Sequence, residues 1–203
     1  MKILHVGTAL YQPYLITQAL RELGYEADSM VLQSKGQEWL IGSRDVDLKI
    51  DKIQGFLAQP RKFIRVFSFY VTVIKKYNVI HFHSFPTFFN LPEKIQFFLD
   101  LLLLRLVGKK VFVSWWGCDI RRKSNELENK WHCCDACSVI GYHCNEDFKN
   151  RMNLLSKKFC NARFASADLP GHNPDIIWMD NAIDTECWQP LDFTEIPEKY
   201  RLD

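Results

Sequence analysis

Apolar residues in this chain fall into short unbroken runs, each closed by a glycine or a polar residue and separated by stretches of helical spacing. The first run, KILHVG over residues 2–7, has strand length and ends on Gly7. In PYLITQALRELGY (13–25), Pro13 stands where a first helical turn tolerates it and Gly24 where a helix ends, which predicts a helix between them. EADSMVL (26–32) reads as a second strand. The signal weakens between residues 33 and 59, where DVDLKID (45–51) is the candidate for a third.

The pattern sharpens again at Pro60. Phe63, Phe67, Tyr70, Ile74 and Tyr77 recur at alternating intervals of four and three, the stripe of a helix over 60–77 with one buried face. NVIHFHS (78–84), KKVFVSWWG (109–117), ARFAS (162–166) and DIIWMDN (175–181) read as strands, and 91–108 and 145–159 as helices. This rhythm implies βαβ units and therefore an α/β, Rossmann-like, mainly parallel sheet with helices on both faces. The near-continuous apolar character of VIHF, VFVSWW and IIWM predicts strands buried on two sides. After Pro190 the pattern dissolves, so residues 1–190 are expected to form the domain and 191–203 a linker or the start of another.

Composition narrows the class. Hydrophobic residues make up 47% of the 203, enough to exclude a disordered chain. A net charge of +2 argues against a nucleic-acid partner held by electrostatics. The longest apolar run, 97–107, carries Asp100 and Arg105 and falls well short of the roughly 20 apolar residues that span a bilayer. The opening residues do not read as a signal peptide, and a cytoplasmic location is expected. Seven cysteines, an odd count with four crowded between Cys133 and Cys144, do not look like a secreted disulfide framework.

Open parallel sheets bind ligands outside the carboxyl ends of their strands. That rule selects Gly7 and Thr8, His83 and Ser84, then Trp116, Gly117, Asp119 and Arg121, and finally Asn181 and Asp184. Gly7 is either a tight turn or a turn whose N–H groups steady phosphate or sugar oxygens. His81 and His83 lie two apart and point to one face. His81 is expected to be a satisfied core histidine, whereas His83, nearer the strand end, is the candidate to hydrogen-bond an acceptor hydroxyl. Trp115 and Trp116 must face opposite sides, one under a helix and the other placed to stack on a sugar ring. Gly117 lets the backbone approach a ligand. Asp119 and Arg121 either pair with each other or take sugar hydroxyls and an anionic acceptor respectively.

NVIHFHS, GKKVFVSWWGCDIR and DIIWMDNAIDTECWQP together resemble the amino-terminal half of a retaining glycosyltransferase of the family-4 type, with the GT-B fold. In the closing phrase, Asn181, Ala182, Ile183 and Asp184 are followed by Trp188 and Pro190 in the family's aromatic and proline places. Where many relatives carry histidine before the glycine, this chain has Trp116. The resemblance implies an acceptor-side domain for sugar transfer from a nucleotide-sugar donor to a glycan or lipid-linked acceptor, as in polysaccharide or lipopolysaccharide synthesis. His83 would be its catalytic candidate, and no cofactor is implied for catalysis. It also implies a second, donor-binding domain carrying paired glutamates. A non-catalytic sugar- or nucleotide-binding module, and a sugar-nucleotide epimerase of the same fold, remain as alternatives.

Two features stand outside that frame. WHCCDACSVIGYHC places Cys134 and Cys137 in C-x-x-C spacing with Cys144 downstream, a set that can grip a structural zinc or simply pack as reduced thiols. Arg61, Lys62, Arg65, Lys75 and Lys76 accompany the aromatic helix, which is either a core helix with a solvated basic back or a peripheral contact with an anionic membrane face.

Overall fold

The computed structural model describes residues 1–7, 11–31, 45–48, 53, 58–84, 87–89, 96–121, 145–166, 169–183 and 185. Among these, seven strands form one sheet: β1 (Lys2–Gly7), β2 (Glu26–Val31), β3 (Val46–Asp47), β4 (Val79–His83), β5 (Lys110–Trp115), β6 (Ala162–Ala165) and β7 (Ile177–Trp178). Their order is β3-β2-β1-β4-β5-β6-β7, and every pairing is parallel. This is the Rossmann-like α/β arrangement that the strand–helix rhythm predicts. The chain steps outward from β1 to β3, then returns to place β4 on the other side of β1. The β1–β4 junction is therefore the topological switch point.

Helices cover both faces. Strand residues alternate, so Leu4, Val6, Ile80, Phe82, Val111, Val113 and Trp115 share one face. They pack with Tyr70 and Val73 of α2 (Ala58–Lys76), Leu101 and Leu104 of α3 (Gln96–Leu106) and Met152 of α4 (Glu146–Phe159). On the opposite face Leu20 of α1 (Gln12–Glu22) packs on Ile3, Ala27 and Val79.

Local chemistry sets the helix bounds. Pro13 sits in the first turn of α1, and Gly24, at φ 83°, closes its end while Tyr25 N–H donates to the Leu20 carbonyl at 2.9 Å. Gly108, at φ 72°, does the same for α3. Asn145 caps α4 by accepting from Phe148 N–H at 3.1 Å, with Glu146 and Asp147 in the first turn and Lys157 and Lys158 in the last.

Two expectations need correction. The buried stripe of α2 is Val66, Tyr70 and Val73, running on to Tyr77, whereas Phe63 and Phe67 are 48% and 49% exposed. The helix is apolar over an arc wider than the face it buries, so the flank of large aromatics lies outside. The last strand, β7, is two residues long at the sheet edge, and its Ile177 and Trp178 are exposed rather than buried on two sides. With a strand on one side only, an edge position leaves such side chains to solvent. The expected linker at 191–203 lies outside the described residues. Among the described residues no helix is long and apolar enough to cross a membrane.

Candidate functional site

The carboxyl edge near the switch point gathers several of the selected residues. Gly7 ends β1 at φ 136° and lies in register with His83 at the end of β4. A Cβ built on Gly7 would stand 2.3 Å from the His83 carbonyl oxygen, so glycine is required here by the approach of the neighbouring strand. Ser84 follows at φ 82°, a left-handed conformation held by its N–H donating to the Ser114 carbonyl at 2.8 Å. Tyr11, just before α1, is also left-handed at φ 63°. Non-glycine residues in this region persist only where their surroundings over-determine them, and they concentrate at functional edges.

Three imidazoles occupy the sheet face below this edge. His5, His81 and His83 are buried at 1%, 8% and 2% exposure. His5 Nδ1 and His83 Nε2 are hydrogen-bonded at 3.0 Å, and His81 Nε2 meets Ser114 Oγ at 2.8 Å. Burial lowers the pKa of His5 to about 4. His81 and His83 are pushed well below the ordinary histidine value by burial first and by the neighbouring histidines second. All three are therefore neutral at physiological pH. His81 is buried, with Nε2 satisfied by Ser114. Nothing local in the sequence marks His5 as the partner of a histidine 78 residues away.

Trp115 and Trp116 do face opposite sides. Trp115 is fully buried in the core beneath the helices. Trp116 stacks on His83, with ring centroids 6.2 Å apart and planes 17° from parallel. The Trp116 indole N–H and His83 Nδ1 are both buried, and neither has a hydrogen-bond partner among the described residues. After Trp116 the chain turns through a 3-10 segment, Gly117–Asp119, in which Gly117 adopts φ 52° with open space where a Cβ would project. Asp119 is buried and its Oδ2 accepts from Trp116 N–H at 3.4 Å, so this carboxylate shapes the turn. The Arg121 carbonyl accepts from Lys149 Nζ at 2.7 Å.

Gln12, at the start of α1, clasps the closing phrase. Its Nε2 donates to the Ala182 carbonyl at 2.9 Å, and its Oε1 accepts from Ala182 N–H at 2.7 Å. Asn181, exposed, is thereby tied to the helix that follows β1. Gln12 carries no local sequence signature of this role, which depends on residue 182 returning to α1. Thr8, Asp184 and the cysteines Cys134, Cys137 and Cys144 lie outside the described residues.

Neutral imidazoles, a partnerless indole N–H and glycine-opened backbone can hydrogen-bond and stack on a polar ring; they supply no charge for holding phosphate. The histidine cluster also offers nitrogen ligands for a cation: one ring nitrogen from each of His5, His81 and His83 lies within 4.8 Å of the others. No family model and no curated protein matches the sequence. Among solved structures, the chain is similar to one titled "Crystal Structure of UDP-galactose 4-epimerase", at 15% identity and a TM-score of 0.31. That match covers 57% of this chain and 55% of the other, about half of each, and it says nothing about activity.

Proposed function

We propose that this chain is the acceptor-side, amino-terminal half of a retaining glycosyltransferase of the family-4 type. It binds a glycan or lipid-linked acceptor and lines one wall of a cleft to which a second domain brings the nucleotide-sugar donor. The His83–Trp116 stack carries the reading. It stands at the switch point of a parallel sheet and holds two buried polar atoms without partners among the described residues. Such atoms cost about 1–3 kcal/mol each, a cost that folds retain where a ligand completes the bonding.

In this reading His83 Nδ1 hydrogen-bonds an acceptor hydroxyl and the Trp116 indole N–H donates to a second sugar oxygen. Trp116 acts by shape and by that N–H, since an indole does not transfer protons near neutral pH. Gly117 keeps the neighbouring space open, and the Gln12–Ala182 clasp holds the Asn181 segment against the same edge. Charge stabilisation of the departing phosphate would come from the donor-binding half.

Indole N–H resonances of the 15N-labelled full chain test this directly. Titration with acceptor-type oligosaccharides is expected to shift the Trp116 resonance, assigned by its loss in Trp116→Phe. Absence of any shift with glycans, combined with NAD binding and interconversion of UDP-glucose and UDP-galactose, would overturn the proposal in favour of an epimerase.

A further inference from the structure

We propose that His5, His81 and His83 form a binding site for a zinc-type divalent cation, built on the face of β1 and β4 at the switch point. The strand geometry brings the rings together. His81 and His83 are two apart on β4, and His5 is in register with His81 across the parallel β1–β4 pair, so all three project from one face. Their ring centroids are 4.3 to 5.3 Å apart.

Three neutral imidazoles are a ligand set for zinc, leaving a fourth tetrahedral position for water or another donor. Nitrogens on one tetrahedral zinc stand about 3.4 Å apart when each bond is about 2.0–2.1 Å. His5 Nδ1 and His83 Nε2 are already 3.0 Å apart, and a nitrogen of His81 lies within 4.8 Å of the other ligand atoms. The rings need only close on the ion by a small side-chain adjustment.

Two further observations favour an ion over a packing role. Ser114, hydrogen-bonded to His81 Nε2, stands as the outer-shell group that fixes a ligating histidine's tautomer and leaves Nδ1 for the metal. The neighbouring positions Ile3 and Val79 on the same face show that apolar side chains serve this layer where only packing is required.

This site does not rest on the glycosyltransferase reading, and metal binding can be measured without any sugar. The full chain, stripped with a chelator, is titrated with Co2+ and Zn2+ beside a variant carrying serine at Cys133, Cys134, Cys137 and Cys144. Both are expected to bind one equivalent, and the cobalt form should show the visible bands of a tetrahedral nitrogen site without sulfur-to-cobalt charge transfer. His5→Gln and His81→Gln should lose that equivalent while still unfolding cooperatively, and Ser114→Ala should weaken binding by about tenfold or more. If a histidine variant fails to fold, X-ray absorption at the zinc edge of the four-serine chain decides by its nitrogen neighbours. Binding that vanishes in the four-serine chain, thiolate bands on the first equivalent, or no equivalent bound would each overturn the site.

Discussion

Gly7 and His83 meet across the β1–β4 junction so closely that a methyl group on Gly7 would lie 2.3 Å from the His83 carbonyl oxygen and 3.0 Å from its Cβ. The missing side chain sets the separation of the two strands where they leave the sheet. It thereby sets where the stacked His83–Trp116 pair stands relative to the start of α1.

Gly7→Ala should be strongly destabilising. The substitution puts a side chain at φ 136°, which L residues rarely adopt, and drives a carbon into backbone rather than into a flexible side chain. A loss of about 3 kcal/mol or more is expected in urea unfolding. A variant within about 0.5 kcal/mol of wild type would mean that β1 and β4 can part without cost, contrary to this packing.

The two adjacent tryptophans should respond in opposite ways. Trp115 is fully enclosed by the core, so Trp115→Ala should remove about 3–5 kcal/mol of stability. Trp116 contributes mainly its stack on His83, and Trp116→Ala should lose only about 1 kcal/mol. On the proposed function, Trp116→Ala should abolish sugar binding while unfolding remains cooperative. Equal stability losses at the two positions would contradict the placement.

Asp100 gives the fold a pH dependence of definite sign. Its carboxyl is fully buried on α3, where Oδ2 accepts from Thr87 Oγ1 and from Phe88 N–H at 3.1 Å while Oδ1 has no partner among the described residues. Burial raises its pKa from 3.8 to about 7, against the opposing pull of those hydrogen bonds. Between these values the folded chain keeps a proton that the unfolded chain releases, so stability attributable to this group falls as pH rises from 3.8 through about 7. The full loss is about 4 kcal/mol above that window. The buried histidines tilt the other way as pH falls below 6.5, so the effect is read as a difference from Asp100→Asn. That variant should gain on wild type between about pH 4 and pH 8 in urea midpoints. Parallel pH profiles for the two proteins would sink the assignment.

Much of this architecture is readable in the sequence. β1, β4 and β5 are apolar runs that end on Gly7, His83 and the tryptophan pair, and Pro13 and Gly24 bracket α1 as their backbone preferences require. Which strand lies beside which is not local information. His5 becomes important only because β4 returns to β1, and Gln12 only because residue 182 does. Nor does an apolar run say how much of itself will be covered. IIWM has the character of a central strand and yet ends on the sheet edge, and Phe63 and Phe67 keep perfect helical spacing while standing outside the buried stripe.

The Gln12–Ala182 clasp should be a measurable long-range tie. Its two hydrogen bonds, at 2.9 and 2.7 Å, link positions 170 residues apart. Gln12→Ala removes both and should lower stability by about 1–2 kcal/mol. It should also speed amide exchange at Ala182 by tenfold or so, the kinetic image of a lost bond of roughly that energy. Gln12→Glu turns a buried carboxylate oxygen toward the Ala182 carbonyl, so it should cost at least as much as Gln12→Ala near neutral pH. Unchanged exchange at Ala182 in Gln12→Ala would show that the phrase is held by something else.

The outward flank of α2 is where a peripheral membrane contact, the alternative to a solvated basic back, can be tested. Phe63, Ile64 and Phe67 are 48%, 62% and 49% exposed, and Phe63 and Phe67 stack on each other and lean on Phe89. Arg61, Lys62 and Arg65 lie on the same turns, so apolar rings and cations leave the surface together, the arrangement that anionic bilayers attract. The protein should co-sediment with phosphatidylserine-containing vesicles and not with phosphatidylcholine alone, and should release as salt screens the attraction. At about 1 kcal/mol per basic residue, replacing all three with glutamine should weaken binding about 100-fold. Phe63→Ser with Phe67→Ser should weaken it at every salt concentration, since apolar burial is not screened. Binding to neither vesicle type would leave α2 as a core helix with a solvated basic back, and equal binding to both would show a purely apolar contact in which the cations take no part.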